Sequence, residues 1–128
     1  MTQPVIEQWI DSVCAHAGWD RPQRDGRDRY RFRLEQGLTV DASAPDQRTL
    51  GLAALIASPG QPDFDALVFR AATAVVPRAF KDGAVVSLDP DTGDLCLHAQ
   101  ITLGALRASE FPGIMERFLN ELAFYRAL

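Results

Sequence analysis

The last third of the chain, Gly83 to Leu128, most constrains the fold. It reads as strand, tight turn, strand and one long helix. Ala84 to Leu88 is a short apolar run. Asp89, Pro90, Asp91, Thr92, Gly93 and Asp94 follow with turn chemistry. A proline pre-sets φ, aspartates bond their own backbone, and a glycine supplies positive φ. From Leu95 the residues alternate. Leu95, Leu97, Ala99 and Ile101 fall on one face, Cys96, His98 and Gln100 on the other. That pattern predicts a half-buried antiparallel strand. Ser109 is placed to cap the helix, with Glu110 and Pro112 in its first turn. Phe111, Ile114, Met115, Phe118, Leu119, Leu122 and Tyr125 recur at helical spacing. A stripe this apolar needs a sheet to lie on, and the preceding hairpin supplies one.

The rest of the chain reads as a partner to that unit. Gln3 to about Ala17 forms an amphipathic helix, with Thr2 as cap, Pro4 in the first turn and Gly18 as the stop. Its apolar face holds Val5, Ile6, Trp9, Ile10, Val13, Cys14 and Ala17. Trp19 to Asp28 is a polar loop. Tyr30, Phe32 and Leu34 then alternate with Arg29, Arg31 and Arg33, turn at Gln36 and Gly37, and continue through Leu38 and Val40 as a hairpin. The arginine face blunts a sheet edge or lines a partner groove. Arg48 to Ala57 is apolar on both faces, which suits a strand covered on both sides, although its alanines also suit a helix. Asp63 opens a second helix with Phe64, Leu67, Val68, Ala71, Ala72 and Val75 at helical spacing, and Pro77 is read as its end. No repeat or linker divides the chain, so residues 1–128 are expected to form a single domain. The expected class is α+β, in the order α-β-β-β-α-β-β-α, with an antiparallel twisted sheet packed against three helices.

A net charge of −4 argues against a nucleic-acid binder. Cys14 and Cys96 are too few for a disulfide scaffold and read as reduced thiols. No apolar run approaches the ~20 residues of a membrane span, and the first residues lack a basic leader region. A cytoplasmic protein without membrane insertion is expected. Cys96 and His98 share a strand face, which leaves open a small enzyme or ligand-binding domain using that pair. Nothing marks an orienting acid or an oxyanion hole beside them. Cys14 and His16 point to different sides of a helix. No metal site, catalytic residue or cofactor is therefore expected. The Asp89–Asp94 loop is too short for a calcium loop of the EF-hand kind.

Taken together, Gly83, Leu88, Asp89, Gly93, Leu95, Leu97, Leu103, Leu106, Phe111 and Phe118, in this order of elements, resemble the class I type III secretion chaperones, the Tir-chaperone-like family. The N-terminal half departs from the family pattern. Ala17, Gly18 and Trp19 stand where a Leu-Gly-Leu-like segment is usual, and the asparagine often found late in the second helix is missing. The resemblance implies a homodimeric bacterial chaperone that binds the N-terminal segment of a secreted effector and assists its delivery to the export apparatus. A regulator of the secretion system, binding an anti-activator or another chaperone, is the alternative within the family. Candidate partner-binding residues are Ile6, Trp9, Ile10, Val13, Phe32, Leu34 and Val40. Several of these, Ile6, Trp9, Phe32 and Leu34 among them, also fit a plain core. The candidate dimer seam is Phe64, Leu67, Val68, Ala71 and Val75, because small residues on that helix let a partner approach closely.

Overall fold

The computed structural model describes residues 5–24, 29–82 and 84–128. The expected Thr2 cap and Pro4, the loop residues Asp25, Arg27 and Asp28, and Gly83 lie outside them. The described elements are three helices, α1 (Val5–Ala17), α2 (Phe64–Asp82) and α3 (Phe111–Arg126), and six strands. The strands are β1 (Gln23–Arg24), β2 (Arg29–Arg33), β3 (Thr39–Ser43), β4 (Thr49–Ala57), β5 (Ala84–Leu88) and β6 (Leu95–Thr102). They form one sheet in the order β1-β2-β3-β4-β6-β5, with every neighbouring pair antiparallel. The α+β class and the order of helices match the sequence reading. The two-residue β1 is an addition, inside a stretch read as loop. It lacks any apolar alternation that could have marked it.

The C-terminal unit forms as its pattern predicts. Asp89 Oδ1 accepts the backbone N–H groups of Asp91 and Thr92, and Gly93, at φ 76°, donates its N–H to the Asp89 carbonyl. A side chain at Gly93 would be strained at that φ and would also press on Pro59 at 3.3 Å. On β6, Leu95, Leu97 and Ile101 are buried and Ala99 half-buried, while His98 and Gln100 are exposed. The start of α3 differs from expectation. Ser109 lies within a 3-10 turn, Ala108–Glu110, and the residue at the cap position of α3 is Glu110. Its carboxylate reaches back to the Arg107 backbone N–H at 2.7 Å. Pro112 sits in the first turn, where a missing N–H costs nothing.

Two other expectations shift. α2 runs on to Asp82 and does not end at Pro77. A helix can carry a proline by giving up one internal bond, at a cost that tertiary packing can offset. β4 is a strand, as the alternation suggested. Leu50, Leu52, Ala54 and Ile56 are buried, but the opposite face is not covered in the isolated chain: Leu55 is 42% exposed.

The core lies on one face of the sheet. Tyr30 and Phe32 from β2, Val40 and Ala42 from β3, and the β4 and β6 residues above point into it. α1 and α3 pack there against each other, with the Trp9 and Phe111 rings tilted 5.3 Å apart. α3 also rests on β4, and α2 lies against β5 and α3. At α1, Tyr30 Oη donates to Glu7 at 3.2 Å, tying β2 to the helix. Gly18, at φ 70°, turns the chain out of α1 so that Trp19 packs on Phe32 at 5.7 Å.

Candidate functional site

The structure divides the seven candidate partner-binding residues unequally. Ile6, Trp9, Ile10, Val13, Phe32 and Val40 are core residues, at most 2% exposed. Ile6, Trp9, Ile10 and Val40 are closed off by α3 and the sheet and are corrected here from contact surface to support, while Val13 and Phe32, though almost wholly buried, line the cavities beside α1. Leu34 is the half-buried member of the seven. The physical reason is that the apolar stripe of α1 is satisfied by Phe111 and Met115 of α3 and by the sheet. Hydrophobic spacing predicts that a stripe will be buried, but not by which chain.

The accessible apolar surface lies next to this core. A groove of about 840 Å³ opens between the segment leaving α1 and the end of β2. Its apolar wall is Trp19, Leu34, Leu38 and Leu119, all half-buried, and Arg21, Arg31, Arg33, Asp20 and Glu35 add charge. A smaller, mostly apolar pocket of about 270 Å³ lies between α1 and α3, lined by Val13, Ala17, Pro112 and Met115 among others. Trp19 and Leu119 line both, so the two cavities share a wall. Trp19, Leu38 and Leu119 are the residues that sequence reasoning missed. By spacing alone Leu119 belongs to a core stripe and Trp19 to a polar loop. The only available signal was a large aromatic directly after a helix-ending glycine.

The candidate seam on α2 also turns inward. Ala71 is fully buried, and Phe64, Leu67, Val68 and Val75 are half-buried, the first three packed on the core. The exposed side of the same helix carries Phe69, at 74%, beside Ala66, Ala72 and Thr73. On the outer sheet face, Leu55 of β4 sits opposite Cys96 of β6, and Val85 of β5, 57% exposed, sits opposite His98. With Ala53 these residues make an uncovered, largely apolar strip across three strands. The continuous apolar run in β4 was its sequence signal. That run asks for cover on both faces, and this chain supplies cover on one.

The groups that could carry bond-making chemistry are poorly placed for it. Cys96 and His98 share the outer face, as the alternation predicts. Burial, then the charges of Asp94 and Asp89, push the Cys96 thiol above its ordinary pKa, which disfavours the thiolate. Its Sγ makes a long contact, 3.9 Å, with the Asp94 carbonyl. Burial also raises the Cys14 thiol, against a lowering influence from Arg21. Both cysteines are free, and among the described residues no three His, Cys, Asp or Glu side chains are grouped to hold a metal ion. The Asp89 carboxylate is engaged by the backbone of its own turn. Among the described residues no helix is long and apolar enough to cross a membrane. The described residues do offer surface: the groove and the pocket beside α1, and an open sheet face.

Comparison with known proteins agrees with this. A family model described as the Tir chaperone protein (CesT) family matches residues 8–126. No curated protein sequence matches the chain. A solved chain from the HopA1–SchA chaperone–effector complex superposes with a TM-score of 0.72 at 16% identity, covering 97% of this chain and 94% of that one. A chain of the ExsC–ExsE complex gives 0.72 at 17% identity, with coverage of 100% and 96%. One from the ExoT–SpcS complex of Pseudomonas aeruginosa gives 0.69 at 13%, with coverage of 96% and 98%. At these identities the superpositions speak for a shared fold.

Proposed function

The chain belongs to the Tir chaperone protein family, and on that premise we propose that it is a class I type III secretion chaperone. It binds the N-terminal segment of a secreted effector in the bacterial cytoplasm, keeps it non-globular and assists its delivery to the export apparatus. The observation that carries this reading is the groove beside α1, with Trp19, Leu34, Leu38 and Leu119 presented half-buried on a rigid core. A disordered client segment gains by burying its own apolar side chains there, and the gain must exceed the entropy lost on ordering. No nucleotide or other cofactor and no bond-making step is needed. The chain acts as one domain over residues 1–128. Two copies associate through the exposed side of α2 at Phe69 and the outer strip at Leu55 and Val85, in a two-fold contact. That moves the seam to the opposite side of α2 from Phe64, Leu67, Val68, Ala71 and Val75. The chaperone–effector complex among the structural neighbours supports the reading.

The test is co-expression with the N-terminal segment of an effector encoded beside this protein. The wild-type chain should co-purify with the segment and shield it from protease, whereas Leu34→Glu together with Leu119→Glu should release it while the circular dichroism spectrum stays native. A segment that is never retained, or is retained equally by the double variant, refutes the reading.

A further inference from the structure

Charge is most sharply segregated on β2. Its inward residues Tyr30 and Phe32 are buried, and Arg29, Arg31 and Arg33 share the outer face. In register across from them, β3 places Ser43, Asp41 and Thr39. Asp41 Oδ1 accepts from Arg31 Nε at 2.9 Å, which fixes the middle guanidinium. Arg29 and Arg33 are exposed, lie opposite hydroxyl side chains, and form no ion pair among the described residues. Three cations thus stand against one carboxylate on this strip, in a chain whose net charge is −4. Alternate residues of an extended strand lie about 6.6–6.8 Å apart, and any extended peptide laid along the strip has the same repeat.

We infer that this arginine ladder receives an acidic run of the client, an extended segment with carboxylates at alternate positions. The inference rests on the proposed chaperone function and adds the chemistry of the partner. Arg31 and Arg33 also border the groove, so the stretch of the same segment that runs on past the ladder enters it and sets apolar residues on Leu34 and Leu38. Guanidinium suits this role because its planar fork takes a carboxylate through two parallel bonds.

The probe is a fluorescein-labelled synthetic peptide that alternates Glu with Val and Leu, compared with the same peptide carrying Gln for Glu. Fluorescence anisotropy on the full chain should give tighter binding of the Glu peptide, weakening as salt is raised. Arg29→Gln with Arg33→Gln should weaken that binding about tenfold and erase the preference for Glu over Gln. Both positions are exposed, so the doubly substituted chain keeps its fold, which its thermal melt checks. Equal binding of the two peptides by the wild-type chain, no binding of either, or unchanged affinity in the variant overturns the ladder. The effector co-expression separates the two claims. A chain that fails the peptide test and still retains the effector segment loses only the ladder, and one that retains neither loses the chaperone function as well.

Discussion

The two faces of the sheet are built from the same strands and have opposite fates. The inner face carries Tyr30, Phe32, Val40, Leu52, Leu97 and Ile101, all closed off by α1 and α3. The outer face carries Arg29 and Arg33 at one end and Leu55 and Val85 toward the other, each exposed. Strand alternation produces both at once, because successive side chains point to opposite sides. The inner face therefore accounts for stability. The outer face is free to carry contacts with other chains, and an uncovered apolar strip is the usual mark of such a site.

That contrast can be broken most severely from the inside. Phe111→Ala removes a fully buried ring from its contact with Trp9 and should cost about 3–5 kcal/mol in urea unfolding. A loss below about 1 kcal/mol would mean that the inner face is not the structural one. Charges on the exposed surface should act in the other register. Leu55→Glu with Phe69→Glu should change the stability of the isolated chain little, yet abolish the proposed dimer and leave a monomer by light scattering. An unchanged mass would move the seam elsewhere. Thiol reactivity gives a smaller contrast. The Cys14 and Cys96 thiols are both raised by burial, so iodoacetamide should alkylate them more slowly in the native chain than in urea, with the rise in rate displaced to higher pH. Native rates equal to those in urea would show that neither thiol is shielded.

The smallest expected effect lies in the turn before β4. The backbone N–H groups of Arg48 and Thr49 donate to Asp46 at 2.9 and 3.0 Å and hold its carboxyl below the usual range. A depressed folded pKa stabilises above the ordinary carboxylate pKa, and that contribution is lost as pH falls through the folded value. Asp46→Ala should therefore be slightly less stable than wild type at neutral pH, with the gap closing in acid. A gap independent of pH would remove the carboxylate from the explanation.

Much of the architecture was legible in the residues. The Asp89–Gly93 turn, the β6 alternation and the α3 stripe are local patterns, and each formed where its spacing put it. The elements that departed were set by longer-range context. α2 runs through Pro77 to Asp82 and lies against β5, and β1 exists because Gln23 and Arg24 find Arg31 and Tyr30 as partners. The candidate site was less legible. The right elements were named, but Ile6, Trp9, Ile10 and Val40 are core, Val13 and Phe32 line cavities from within it, and Phe64, Leu67, Val68, Ala71 and Val75 of α2 are buried or half-buried. Hydrophobic period identifies an apolar stripe and carries no information on whether its cover belongs to the same chain.

From sequence alone, then, the class, the order of helices, the C-terminal hairpin and the family resemblance followed, because each depends on neighbours close along the chain or on a fixed repeat. Only the tertiary structure decided that α1 is closed by α3, that Trp19 and Leu119 share a groove, and that Leu55, Phe69 and Val85 stay open. Those outcomes depend on which surfaces meet once distant segments pack, and apolar area is buried wherever a fitting partner is available.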